Sequence, residues 1–380
     1  MAKWLAKLLT FFIPNRDRRH HCREFLMHLT VRDMVSFRRF LKARTKGNSI
    51  LLVEANDTHG VVIAGYLKYF QDMEYNIDIL VNPAAVSERP FCRLDLSDVS
   101  VFTSDFPLLS LFFASSKFRE YRHIVLMTSA AYFHETNGMY TSALAYYPQL
   151  RKHPSLFVVE HDLNDVERFN EQSLMSSRHL ITLGHFPRTV FVSPILFGNV
   201  RLTQGNGATF ICVGGIQKDR KNHRKLLAAM EELVLSGLNF KVIVIGRGEL
   251  EDLPERIRPY VEITGRIDFP RMFEQMGKAR FYLPLLDPNN PAHDRYITSG
   301  VTGSAQLIYA FGKVPVIHPH FASFYGFDAA NAIIAADLAE GMRTAITLNP
   351  QEYESKQAAL VKLSDKLRKE SIDNLKEIFS

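Results

Sequence analysis

Cysteine is scarce in this 380-residue chain: Cys22, Cys92 and Cys212 lie far apart, with no CxxC or paired Cys/His spacing. This suggests neither a disulfide framework nor a structural zinc site, and it fits a reducing cytoplasm. Long hydrophobic runs are also lacking. The apolar opening, MAKWLAKLLTFFIP, ends at Pro14, short of the roughly 20 residues that span a bilayer. No small-residue cleavage site follows it, so a signal peptide is a poor fit. No GxGxxG follows any expected strand, which argues against a nicotinamide-dependent oxidoreductase. No Asp-x-Asp motif sits in a loop suited to a metal, and no internal repeat or low-complexity tract is present.

What is present is enough for two globular units, with 46% hydrophobic and 23% charged residues over the full length. The net charge of +6 is unevenly spread. Residues 1–46 hold twelve Lys/Arg against Asp17, Glu24 and Asp33, a local charge of +9, which leaves the remaining chain at −3. Trp4, Leu5, Leu8, Leu9, Phe11 and Phe12 precede the basic run. This pattern predicts an amphipathic arm on an anionic membrane surface, where each basic residue contributes about 1 kcal/mol. The plainer alternative is a helix packed on the chain's own fold with a solvated basic face. The basic region has no interleaved aromatic residues and no nucleic-acid motif, so nucleic acid is not the expected partner.

Short β-branched runs alternate with helical periodicity: SILLVEA (49–55), YNIDILV (75–81), HIVLMT (123–128), SLFVVE (155–160), HLITL (179–183) and TVFVSP (189–194), with a helix over 61–73. This is the rhythm of a parallel sheet covered on both faces. The stretch RLTQGNGAT (201–209) interrupts it, and FICVGG, FKVIVIG, VEITG, RFYLPL and VPVIH start a second series. The expected division is an arm over 1–46, a first unit over 47–203, a second over 204–349 and a helical segment over 350–380.

In the second unit the first strand ends in Gly214-Gly215, followed by the basic loop IQKDRKN with Lys218, Arg220, Lys221 and Asn222 and then a helix. Later strands end in Gly246-Arg247 and Gly265-Arg266-Ile267. A polar loop with His293, Asp294 and Arg295 precedes Thr302-Gly303-Ser304, which opens an apolar helix. Glycine turns let backbone approach a ligand, and helix starts offer amides to an anion. Ordinary helix capping is the plainer reading of the Thr/Ser cluster.

The ordered series VGG…KDRKN, VIGRG, TGRI and TGS…YAFGKVPVI resembles the donor half of GT-B glycosyltransferases of bacterial polysaccharide and lipopolysaccharide assembly, over about residues 208–345. The resemblance implies an α/β fold of two doubly wound, Rossmann-like domains facing a central cleft. It implies a nucleoside-diphosphate-sugar donor whose diphosphate meets Arg220, Lys221 and Asn222, whose base borders Gly265, Arg266 and Ile267, and whose phosphates and ribose meet Thr302, Gly303 and Ser304. Gly214, Gly215, Gly246, Arg247 and Arg295 complete the expected donor set. Retaining members carry two glutamates eight apart, but Asp294 to Ile308 contains none; Gln306 stands near the second position. Stereochemistry is left open.

In the first unit, Asn56-Asp57-Thr58-His59-Gly60 follows the first strand. A histidine there can take the proton of an attacking hydroxyl, with Asp57 orienting it. The plainer reading has His59 bonding backbone at a helix start. Glu160-His161-Asp162 is a second candidate at a strand's carboxyl end, and His134-Glu135 a third. The catalytic expectation is therefore His59, Asp57, His161 and Asp294, with no metal and no cofactor beyond the donor. The expected acceptor is a glycan or lipid-linked hydroxyl, and the expected location the inner face of the cytoplasmic membrane. Competing readings are a GT-B-shaped epimerase or phosphorylase and a non-catalytic partner subunit.

Overall fold

The computed structural model describes residues 3–14, 16, 19–20, 23, 31–45, 47–54, 60–104, 115–128, 133–136, 139–142, 152–168, 178–195, 203, 205, 207–216, 221–248, 250 and 253–380. His59, Asp57 and Arg220 lie outside the described residues, and the side chains of His134 and Glu135 are likewise outside them.

Two parallel sheets form the frame. The first contains β1 (Ser49–Glu54), β2 (Asn76–Val81), β3 (Val99–Thr103), β4 (His123–Met127), β7 (Leu156–Glu160), β8 (Leu180–Thr182) and β9 (Val190–Phe191), in the order β3-β2-β1-β4-β7-β8-β9. An antiparallel pair, β5 (Phe133–Thr136) and β6 (Met139–Ser142), stands apart from it. The second sheet contains β10 (Thr209–Val213), β11 (Lys241–Ile245), β12 (Val261–Gly265), β13 (Phe281–Tyr282), β14 (Val314–Ile317) and β15 (Ile333–Ile334), in the order β12-β11-β10-β13-β14-β15. Every residue of β1, β4 and β7 is buried, because helices must cover both faces of a parallel sheet. The chain order reverses between β1 and β4 and again between β10 and β13, which makes two topological switch points.

Two expected strands are shortened and one strand is added. TVFVSP keeps only Val190–Phe191 as strand. RFYLPL keeps only Phe281–Tyr282, because Pro284 has no amide to give a ladder and Leu285 turns to φ +56°. The edge strand β3 was not anticipated: its half-exposed, Ser-interrupted run VSVFT lacks the continuous apolar signal of the central strands.

The 30-residue helix Pro350–Phe379 ties the two sheets together. Asn349 and Glu352 form a reciprocal capping box with Pro350 in the first turn. Near its start the buried Tyr353 donates to Arg280 O at 3.0 Å, beside the second sheet. Near its end Phe379 stacks on Phe157 at 4.2 Å and meets Phe70 and His123 edge-on, under the first sheet. Between them, Ser371 Oγ accepts from Ser193 N at 2.9 Å. Gln357 donates to Thr203 O and Gly312 O, at 3.3 and 3.0 Å.

Thr203, in the chain between the sheets, also receives Lys313. Its ammonium donates to Thr203 O and Oγ1, both at 2.9 Å, and the side chain is wholly buried. Burial pushes the Lys313 pKa down from 10.5 to about 8.

Two outcomes follow. Phe379→Ala removes a buried ring from an aromatic cluster and should lower unfolding free energy by about 3 kcal/mol, read by urea denaturation. For Lys313, the unfolded chain binds more protons than the folded chain between pH 8 and 10.5, so this group makes stability rise with pH across that window. Lys313→Met should raise the melting temperature at pH 7 and flatten its rise above pH 8. An unchanged slope would show that the lysine is not held as described.

Candidate functional site

The carboxyl ends of the two sheets face each other across a cleft closed at two places. After β2, Glu88 forms an ion pair with Arg266, which follows β12; Glu88 O accepts from Phe269 N at 2.9 Å, and Arg93 lies over the Phe273 ring. After β7, residues 161–164 meet residues 299–301 through an antiparallel bridge, Asp162 to Gly300. Leu163 N donates to Ser299 O at 2.6 Å, Val301 N to His161 O at 3.0 Å, and Asn164 Nδ2 to Ser299 Oγ at 2.8 Å. In the first sheet β1 and β4 lie between β2 and β7, so its switch point falls between the two closures. The β10–β13 switch point lies opposite.

On the second sheet, the turns after β10 and β11 pack backbone on backbone. Gly214 N donates to Ile245 O and Ile216 N to Arg247 O, each at 2.8 Å. A Cβ on Gly246 would stand 1.8 Å from Gly214 O, and one on Gly214, at φ +137°, would stand 2.6 Å from Lys221 Cε. These glycines are thus required by close packing of the turns, whatever ligand they also meet. Gly215 is half-buried in the same turn, Arg247 is exposed, and Ile267 packs against the core.

Lys221 occupies the switch point itself. Its side chain is buried, and Nζ donates to Pro284 O at 2.9 Å and to Ser304 Oγ at 3.0 Å. Burial pushes its pKa down to about 8, with the neighbouring Cys212 acting the other way. The next residue, Asn222, caps the helix His223–Leu235, its Oδ1 accepting from Lys225 N.

Asp287, in the turn after β13, accepts from Asn222 Nδ2 at 2.5 Å and from Lys225 Nζ at 2.8 Å. Burial works to raise its pKa, but the bonds from Lys225, the Asn289 amide and Asn222 together outweigh it and hold the carboxyl below its ordinary value. His293 accepts through Nδ1 from Asp287 N at 2.9 Å, and burial lowers its pKa. Its bond to the Asp287 amide fixes the shape of the loop.

The helix Gly303–Phe311 points its start at this place. Thr302 caps it, with Oγ1 accepting from Ser304 N at 3.3 Å, and Thr302 N is held by the Tyr325 hydroxyl. A Cβ on Gly303 would meet nothing within 4 Å, so the first turn is open. Lys221, Ser304, Thr302 and Gly214 thus come together at this helix start, where backbone amides carry partial positive charge.

Other expected residues have other partners. Arg266 pairs with Glu88 across the cleft, and Gly265 takes φ +67° with open space beside it. Arg295 lies 4.0 Å from Asp162 and donates to the Tyr296 hydroxyl at 2.9 Å. Asp294 is exposed and faces His320 at 3.7 Å. His161 sits in the closure after β7.

Sequence reasoning missed Glu54. It ends β1 at the first switch point, buried, with Thr128 Oγ1 donating to its Oε1 at 2.9 Å and Oε2 at 3.2 Å. Thr128 does so from φ +51°, an uncommon backbone state for a β-branched residue. A glutamate closing the buried apolar run Ile50–Val53 was the available signal. Asp287 was missed as well; the Asp-Pro-Asn-Asn turn after a strand end was its sign.

No protein-family model matches the chain, and no curated protein matches it. Among solved structures, an α-glucosyltransferase in complex with UDP and a 13-mer DNA aligns at 12% identity over 86% of this chain and 94% of that one, with a TM-score of 0.52. AviGT4, a glycosyltransferase involved in avilamycin A biosynthesis, aligns at 11% identity over 86% and 97%, with a TM-score of 0.49. UGT89C1 of Arabidopsis thaliana, complexed with quercetin, aligns at 13% identity over 88% and 99%, with a TM-score of 0.47. At such identities the likeness concerns the fold, and the fold is the GT-B architecture of two facing parallel α/β sheets.

Proposed function

We propose that this protein is a metal-independent hexosyltransferase that moves a sugar from a nucleoside-diphosphate sugar to a hydroxyl of a glycan or lipid-linked acceptor in bacterial surface polysaccharide or lipopolysaccharide assembly. In this reading it works in the cytoplasm, peripherally on the membrane's inner face. The observation that carries the reading is the meeting of Lys221 Nζ, Ser304 Oγ and the open first turn at Gly303 at the switch point of the second sheet.

A donor diphosphate there would be held by the first-turn amides, the Ser304 hydroxyl and the Lys221 cation. Arg220 would add a second cation. The acceptor oxygen attacks the anomeric carbon while the bond from that carbon to the diphosphate breaks, and the leaving diphosphate's charge falls on these groups. The acceptor proton passes to a base on the first sheet's side. His59 with Asp57 is the first candidate, and the Glu54 carboxylate at the facing switch point is the candidate added by the structure. His161, in the closure after β7, and Asp294, exposed opposite His320, are the remaining candidates.

The test is a thermal-shift screen against UDP, GDP, CMP, dTDP and ADP sugars, followed by a transfer assay with the preferred donor. A donor at 100 times its Kd adds about 2.7 kcal/mol. Lys221→Met and Ser304→Ala should each remove a hydrogen bond to charge worth about 1.5–3 kcal/mol, weakening donor binding roughly 10- to 100-fold. Their ligand-free melting curves control for folding. Transfer undiminished in an Arg220→Ala, Lys221→Ala double variant would overturn the assignment of the diphosphate site.

A further inference from the structure

Large exposed apolar side chains are concentrated in one part of the molecule. Among the described residues nine are exposed, and seven lie between Leu8 and Leu41: Leu8, Phe11, Phe12, Val31, Met34, Val35 and Leu41. The first three follow or end the short helix Lys3–Thr10, within the arm already marked by its charge. The other four belong to a second helix, Val31–Lys42, which has apolar residues on two opposite faces.

Its inner face is fastened to the first sheet. Phe40 is fully buried, packing on Phe102 at 5.4 Å, Phe118 at 6.0 Å and Tyr121 at 6.2 Å. Ser36 Oγ accepts from Thr103 N at 2.9 Å, so the helix also covers part of the exposed edge of β3. The outer face carries Val31, Met34, Val35, Arg38, Leu41 and Lys42, spaced three and four apart along one stripe. Val31 is 78% exposed, Met34 56% and Val35 53%. Arg32 and Arg39 are exposed beside the stripe.

We propose that the outer face of helix Val31–Lys42 is a docking surface for an anionic phospholipid bilayer, so that the membrane lies against the β3 edge of the first sheet. This rests on the reading of the protein as a peripheral transferase and gives that reading a defined orientation. Four apolar side chains on a polar-flanked stripe suit the boundary between headgroups and acyl chains, and the interleaved and flanking cations complement anionic headgroups. No helix among the described residues is long and apolar enough to cross a membrane, so the contact is with the surface. The occupant is a lipid surface because Arg32, Arg38, Arg39 and Lys42 lie within and beside the apolar stripe, inside a segment of residues 1–46 whose charge is +9, and an array of anionic headgroups complements that charge over its whole extent.

The test uses the full chain with vesicles of phosphatidylcholine alone and of phosphatidylcholine with phosphatidylglycerol. The protein should float with the anionic vesicles and not with the neutral ones, and added salt should weaken the binding. A variant combining Val31→Gln, Met34→Gln, Val35→Gln and Leu41→Gln leaves the Phe40 face and residues 1–14 intact, and should bind anionic vesicles at least tenfold more weakly at an unchanged melting temperature. Flotation of this variant equal to the parent would overturn the proposal, as would failure of the parent to float. So would a parent dimer that the four substitutions convert to monomer without affecting vesicle binding, since the face would then join two copies of this chain. Vesicle binding needs no sugar donor, so flotation without donor binding would leave this proposal standing while the transferase reading failed, and the converse result would do the opposite.

Discussion

Everything in this molecule depends on the double covering that a parallel sheet requires. Strands such as SILLVE and LFVVE are buried on both faces, so each must be followed by a crossover that lays a helix over the sheet. Crossovers place every strand's carboxyl end on the same edge. Two such sheets in one chain, each reversing its strand order once, therefore present two crevices. The long helix Pro350–Phe379 returns from the second core to the first, and its aromatic end sits in the first core. Apolar burial thus decides where the polar chemistry can be.

The electrostatics of the cleft follow from that placement. Lys221 reaches the switch point only through the space left by Gly214, and there it is held by two uncharged oxygens, Pro284 O and Ser304 Oγ. A buried cation with neutral partners is poorly compensated. An anion bound at the start of helix Gly303–Phe311 would supply what those partners do not. The same argument separates Lys221 from Lys225, whose ammonium is satisfied by Asp287. One lysine helps to build the loop, while the other remains electrostatically unfinished.

How much of this could be read from the sequence varied with the range of the interaction. Central strands were legible because full burial writes a continuous apolar run, and helix starts were legible because Asn222, Thr302 and Asn349 are side-chain caps. The edge strand β3 and the two-residue β15 were not, since partial burial or short length erases the pattern. The glycine-marked strand ends were located correctly, but that Gly246 serves the packing of Gly214 could be learned only from distance. The Glu88–Arg266 pair and the bridge from Asp162 to Gly300 join segments remote in sequence, and no local signal announces them. Arg266 was read as bordering a ligand; the structure shows its guanidinium linking the two halves through Glu88.

The chain passes between its two sheets twice, once near Thr203 and once along the final helix, and Gln357 bonds these crossings to each other. Lys313 fixes Thr203 to the second half as well. Two covalent connections joined at one place behave like the spine of a book. They permit the covers to part about a single line and resist sliding of one past the other. A rotation about that spine would break the Glu88–Arg266 and Asp162–Gly300 closures while leaving the bonds of Gln357 and Lys313 to Thr203 in place, so the register between the two crevices would be kept.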